Sequence, residues 1–186
     1  RDEILSDTVM VYGNVDEVEL VLNGKTIRRQ TADKGPDSDY IPVPNGGNGK
    51  NLHFPPFTFY GVPKERGVLK AVGYHQGKKV AEYTVKTPGV PERLDITYFE
   101  SGKPATKNDL LIVYVRMLDK QGVLCPVNGI PVELSVQGGE IVGPTSYPLE
   151  AGVASFLVRT GEISKININA TGKGFSTRNS LKVGKE

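Results

Sequence analysis

The chain has 186 residues and a formal net charge of +2, a length that suits two domains of about 100 residues better than one large one. Lys and Arg are interspersed with Asp and Glu and pair up only briefly, as at Arg28-Arg29 and Lys78-Lys79, so nucleic acid is excluded as a partner. No apolar run reaches the roughly 18 residues of a membrane span, and a single cysteine, Cys125, excludes an intrachain disulfide.

In chain order, residues 1–7 read as a lead-in strand or tail. The opening Arg-Asp-Glu-Ile, without Met or a leader, is expected of a piece cut from a longer polypeptide. Residues 8–12, 17–22 and 25–29 alternate apolar and polar side chains, the period of half-buried strands. Asn23-Gly24 separates the last two. Both residues accept the positive φ of a type I′ turn, so a two-residue hairpin is expected there. Residues 33–50 hold three Pro, four Gly and three Asp. A structureless stretch of that length is longer than compact domains ordinarily carry, and it reads as a binding loop, a contact to another domain or an insertion.

Residues 52–60 (LHFPPFTFY) form the next strand, opened by Pro55-Pro56, which have no N–H for a central ladder. Residues 68–75 and 79–86 make a second hairpin around Gln76-Gly77-Lys78. Six or seven short strands in this half are the count of an immunoglobulin-like sandwich. Residues 87–91 (TPGVP) form a short, stiff connector. Beyond it, strands are expected at 93–99, 110–118, 130–136, 140–142, 153–159, 165–170 and 176–183. The nearly continuous apolar run Leu111-Ile112-Val113-Tyr114-Val115 is expected to be a central strand covered on both faces. No segment of ten residues has capped helical periodicity. The fold class expected is all-β, two tandem immunoglobulin-like β-sandwich domains at residues 1–87 and 88–186.

Sugar hydrolysis needs two carboxylates flanking a bond, about 5 to 10 Å apart. Asp16, Glu17 and Glu19 qualify by type, but Glu17 and Glu19 alternate with apolar residues and so face away from the core; no catalytic residue is assigned. His53 and His75 lie in different strands, and neither G-x-S-x-G nor H-E-x-x-H occurs. Asp33, Asp37 and Asp39 are of a type that binds Ca²⁺, without the spacing of an EF-hand. No metal and no cofactor is expected, and Cys125 reads as a small buried residue. Tyr40, His53, Phe54, Phe57, Phe59 and Tyr60 are dense enough to raise glycan stacking, although Phe57 and Phe59 read as core. Tyr40, Phe54 and Tyr60 are the candidate residues for a glycan or interdomain contact.

The stretch Val-Tyr-Gly-Asn-x-Asp-Glu-Val-Glu-Leu-x-Leu-Asn-Gly-Lys at residues 11–25 resembles the opening of the immunoglobulin-like domain that follows the catalytic barrel in bacterial β-galactosidases of glycoside hydrolase family 2. Gly13 stands where Ser is usual, and Val21 where Phe is common. FPPFTFYGVPKERGVLKAVGY at 54–74 and QGKKVAEYTVKTPGVP at 76–91 continue the likeness, with Arg66 at a usual proline and residues 33–50 as the main departure. Residues 92–183 resemble the second C-terminal immunoglobulin-like domain of these enzymes, and also invasin-type adhesin repeats. The resemblance implies catalytic glutamates in an upstream barrel absent from this chain. It also implies a periplasmic or extracellular parent acting on β-galactosides. The expected role is a non-catalytic accessory region whose partners are the catalytic and other domains of the same polypeptide. It would stabilise the barrel and contribute a loop to the cleft. The alternatives are a carbohydrate-binding module using exposed aromatics and an adhesin-type stalk. An apolar patch is expected on the first domain, around residues 33–50 and 54–60.

Overall fold

The computed structural model describes residues 7–33, 55–98 and 104–184. Every regular element among them is a β-strand, and no helix is long and apolar enough to cross a membrane. The chain divides into two compact units, Arg1–Thr87 and Pro88–Glu186.

Unit 1 contains β1 (Val9–Val11), β2 (Glu17–Leu22), β3 (Lys25–Thr31), β4 (Phe57–Phe59), β5 (Val68–His75) and β6 (Lys78–Lys86). One antiparallel sheet has the order β3-β2-β5-β6, and β1 pairs with β4 in a second sheet of two strands. Alternation on β2 sends Val18, Leu20 and Leu22 inward, opposite Gly73, Ala71 and Leu69 of β5. Phe57 and Phe59 of β4 are each 1% exposed and close the core from the other side together with Val62. Burying a side chain of this size contributes about 1.5–3 kcal/mol, so these few residues dominate the stability of the unit.

The hairpin at Asn23-Gly24 forms with φ of 51° and 81°, as expected. The Asn23 side chain also does work that the turn alone does not require. Its Oδ1 accepts from the Val68 N–H at 2.9 Å, and its Nδ2 donates to the Arg66 carbonyl at 3.1 Å. The turn is thereby fastened to the start of β5. The second hairpin turns on Gln76 and Gly77 alone, with φ of 49° and 74°, so Lys78 belongs to β6. Residue Ile27 has no partner on β2, where the register shifts between Leu20 and Val21, a bulge that bends the edge strand β3.

Unit 2 is a two-layer sandwich. Its strands are β7 (Pro91–Tyr98), β8 (Leu110–Asp119), β9 (Pro131–Gln137), β10 (Gly139–Ile141), β11 (Ser146–Pro148), β12 (Val153–Thr160), β13 (Lys165–Gly172) and β14 (Phe175–Lys182). One sheet has the order β10-β12-β8-β7, the other β11-β9-β13-β14. The core between them takes Val113, Val115 and Met117 of β8, Phe156 and Val158 of β12, Val132 and Leu134 of β9, and Ile166 and Ile168 of β13. β11 was not anticipated: three exposed residues carry no alternation to read.

The expectation that β8 is covered on both faces is not met. It is an inner strand of its sheet, but Leu110 and Ile112 are 52% and 43% exposed. Among the described residues this unit has two layers, so the outward face of β8 meets solvent, and Ile112 pairs there with Leu157 of β12. The turn after β8 is organised by Asp119, which is 4% exposed. Its carboxylate accepts N–H groups from Gly89, Gln121 and Val123 at 2.7–2.8 Å. These donors, Gly89 first, hold its carboxyl below the usual carboxylate range.

Candidate docking face of unit 1

Tyr40 and Phe54, two of the three residues expected at a contact site, lie outside the described residues, as do His53, Asp37 and Asp39. The third, Tyr60, follows β4 and is 40% exposed. The structure separates it from its neighbours Phe57 and Phe59, which face the four-stranded sheet as core. Asp33 lies at the start of the long loop, and its carboxylate is committed to β4. It accepts from Thr58 N at 3.1 Å and Thr58 Oγ1 at 2.5 Å, while Gln30 Nε2 donates to the Thr58 carbonyl at 2.9 Å. Thr58 is 4% exposed, so these bonds satisfy a buried strand.

The outward face of the β3-β2-β5-β6 sheet is polar. Glu17 pairs with Arg29 at 2.5 Å, and the Arg29 guanidinium stacks 3.8 Å over the Tyr74 ring. Glu19 accepts from Thr26 Oγ1 at 2.6 Å and from the Tyr74 hydroxyl at 2.7 Å. Those two donors, Thr26 first, push the Glu19 carboxyl down, and the same bond pushes the Tyr74 phenol up. Asp16 accepts from the Gln76 N–H at 2.6 Å and faces His75 Nδ1 at 3.1 Å. Its carboxyl is pushed down chiefly by the Gln76 bond. Both carboxylates, of Asp16 and Glu19, are committed to hydrogen bonds within the sheet and its turn. Their work is to join strands and to cap the β5–β6 turn. Among the described residues, no three His, Cys, Asp or Glu side chains converge as a metal site would need.

The inward face of the same sheet differs. Antiparallel register places Ala81, Tyr83 and Val85 of β6 beside Gly73, Ala71 and Leu69 of β5, so all six point to the core side. Among the described residues the facing β1-β4 sheet has two strands against four. Every residue of β6 is exposed, Tyr83 at 73% and Val85 at 52%. Tyr12, just past β1, is 69% exposed. Between these tyrosines opens a cleft of about 150 Å³, walled by Val11, Val15, Ala71 and Gly73 and edged by Asn14 and Glu82. Gly73 lies so close under Val15 that a Cβ there would meet Val15 Cγ1 at 3.0 Å.

This face was not singled out from the sequence. The alternation Ala81-Tyr83-Val85 was legible as one side of a strand, but nothing local tells whether the opposite layer extends far enough to cover it. Exposed apolar side chains thus gather on β6 and Tyr12, beyond the region around 54–60, where the described aromatics other than Tyr60 are core.

A family model described as a domain of unknown function (DUF4982) matches residues 6–81. A β-galactosidase of Thermoanaerobacter pseudethanolicus is 29% identical over 171 residues, 86% of this chain and 21% of that protein. A β-galactosidase sequence of Rhizobium radiobacter is 30% identical over 128 residues, 68% of this chain and 91% of that sequence. Among solved structures, a glycosyl hydrolase family 2 member from Bacteroides cellulosilyticus aligns with a TM-score of 0.72 at 25% identity, over 94% of this chain and 24% of that one. The chain thus spans 21% of the Thermoanaerobacter protein's length and 24% of the Bacteroides chain.

Proposed function

Because the chain belongs to glycoside hydrolase family 2, to the C-terminal region of such enzymes, we propose that it is a non-catalytic accessory region of a β-galactosidase-like parent. Unit 1 docks on the rest of that polypeptide and stabilises its catalytic part. The parent acts on β-linked galactosides, in the periplasm or outside the cell. The observation that carries the docking reading is β6, a strand exposed along its whole length with an apolar face. Exposed apolar area concentrated in this way marks an interaction surface. The commitment of Asp16 and Glu19 to bonds that cap a turn and join strands supports a structural role for the carboxylates of this sheet.

The test compares Tyr83→Glu in the isolated chain and in the parent enzyme. On an exposed strand the change alters the isolated chain's stability by no more than about 0.5 kcal/mol. In the docked parent it buries a charge and lowers both thermal stability and hydrolysis of a β-galactoside. A parent indifferent to the change rules out docking through β6.

Glycan binding is a second reading with one observation in its favour. Tyr12 and Tyr83 flank a cleft that Asn14 also lines, a pairing of aromatic faces with a polar residue that suits a sugar ring. Calorimetric titration of the isolated chain with galacto-oligosaccharides separates the two readings, since only this one expects binding.

A further inference from the structure

The four-stranded sheet of unit 1 has two edges, β3 and β6. Edge strands in natural proteins are blunted by bulges, charges or proline, because an open edge pairs with any strand it meets. β3 is blunted by its bulge against β2 and by Arg28 and Arg29. β6 is nine residues long and contains no proline; its charges, Lys78, Lys79, Glu82 and Lys86, leave the inward face of Ala81, Tyr83 and Val85 uncharged. Its one bulge leaves Val80 unpaired, between the partners of Gly73 and Tyr74, so that the register from Ala81 to Lys86 is regular. Among the described residues no strand pairs with its outer side.

The main-chain groups that this edge offers follow from the ladder. The Val68 carbonyl accepts from Asn23 N, and the Tyr74 carbonyl from Asp16 N, so the even-numbered residues of β5 from 68 to 74 turn their main-chain groups toward β2. Leu69, Ala71 and Gly73 then turn theirs toward β6. The residues opposite them, Val85, Tyr83 and Ala81, point back at β5. Main-chain groups alternate direction along a strand, so Glu82, Thr84 and Lys86 present theirs to the open side. The ladder bond from Thr87 N to the Gly67 carbonyl agrees with this parity.

We propose that β6 accepts an added strand from a segment of the parent polypeptide outside this chain. That strand hydrogen-bonds to Glu82, Thr84 and Lys86, and its apolar side chains lie over Tyr83 and Val85 toward the Tyr12 cleft. The proposal rests on the docking reading above and specifies its chemistry. This chain accounts for 21% of the Thermoanaerobacter relative's length, so in a parent of that size roughly four fifths of the polypeptide is available to supply the segment. Strand addition joins main-chain bonds for affinity to alternate side-chain contacts for specificity. The segment therefore has period-two patterning, with apolar residues opposite Tyr83 and Val85 and polar ones opposite Thr84.

Residue-resolved hydrogen exchange on the isolated chain and on the parent enzyme tests this. In the isolated chain the amides of Glu82, Thr84 and Lys86 exchange at least about tenfold faster than those of Ala81, Tyr83 and Val85. In the parent they slow by roughly 100-fold. Thr84→Pro removes an outward N–H, which an edge strand tolerates. It abolishes the slowing at Glu82 and Lys86 while Ala81 and Tyr83 stay protected. Equal exchange of the three outward amides in chain and parent overturns the proposal. If Tyr83→Glu still destabilises that parent, docking survives and strand addition alone fails. Slowing in the isolated chain that grows with its concentration assigns the edge to a second copy and also overturns the proposal.

Discussion

Substituting Gly152 isolates the cost of one close main-chain approach in unit 2. Ala151 and Gly152 form the turn into β12, with φ of 47° and 86°. Gly152 N donates to the Val127 carbonyl, and its own carbonyl accepts from Met117 N, both at 2.8 Å. The segment at Cys125 is thus laced tightly over the turn. A Cβ on Gly152 would overlap the Cys125 carbonyl oxygen and lie 3.0 Å from that carbonyl carbon and 3.3 Å from Leu124 Cδ1. The obstruction is main chain, which cannot rotate away. Left-handed φ costs alanine about 1–2 kcal/mol, and forced repacking adds about 1–3 kcal/mol. Gly152→Ala is thus expected to cost about 2–5 kcal/mol. At about 5 °C per kcal/mol for a domain of this size, that lowers the melting temperature by about 10–25 °C. Gly129→Ala is the control: φ is 75°, and nothing lies within 4 Å of its Cβ position, so only the conformational cost of about 1–2 kcal/mol applies. Cys125 is 2% exposed, and burial, followed by the Asp119 charge, pushes its thiol up. Its reaction with a disulfide reagent therefore reports the unfolding of unit 2 specifically. Equal losses for the two variants would refute the packing contribution.

Asp119 should give unit 2 an acid-sensitive limb. Its folded carboxyl is held below the unfolded value by the Gly89, Val123 and other N–H donors, so its contribution is full above the unfolded carboxylate range and is lost as pH falls through the folded value. Asp119→Asn lowers the melting temperature near neutrality, and the gap to the parent chain narrows on acidification below roughly pH 5; a gap independent of pH contradicts this. Asn23→Asp keeps the acceptor for Val68 and loses the donor to Arg66, a cost of about 0.5–1.5 kcal/mol. Asn23→Ala loses both bonds and adds the strain of positive φ, so urea unfolding should rank it clearly the less stable of the two. Thr58→Val removes the hydroxyl that donates to Asp33 and leaves the N–H bond in place. A loss of about 1–3 kcal/mol is expected, and a neutral result would show that the Asp33 contact does not fasten β4.

Much of this protein is legible residue by residue. Period-two alternation places β2 and β5 at their observed bounds, and Asn23-Gly24 forces a hairpin, because both signals depend on neighbours a few residues apart. The family likeness in residues 11–25 and 54–91 is legible for the same reason, as runs of adjacent residues. Coverage is not local. Leu110 and Ile112 belong to a run as apolar as any buried strand, yet they meet solvent because unit 2, among the described residues, has two layers. Phe57 and Phe59 are core, while Tyr83 and Val85, no less apolar in pattern, stand open. Among the described residues the difference lies in the width of the opposite sheet, two strands against four. A strand's sequence determines that it has an apolar face; only the tertiary structure decides what, if anything, stands across from it.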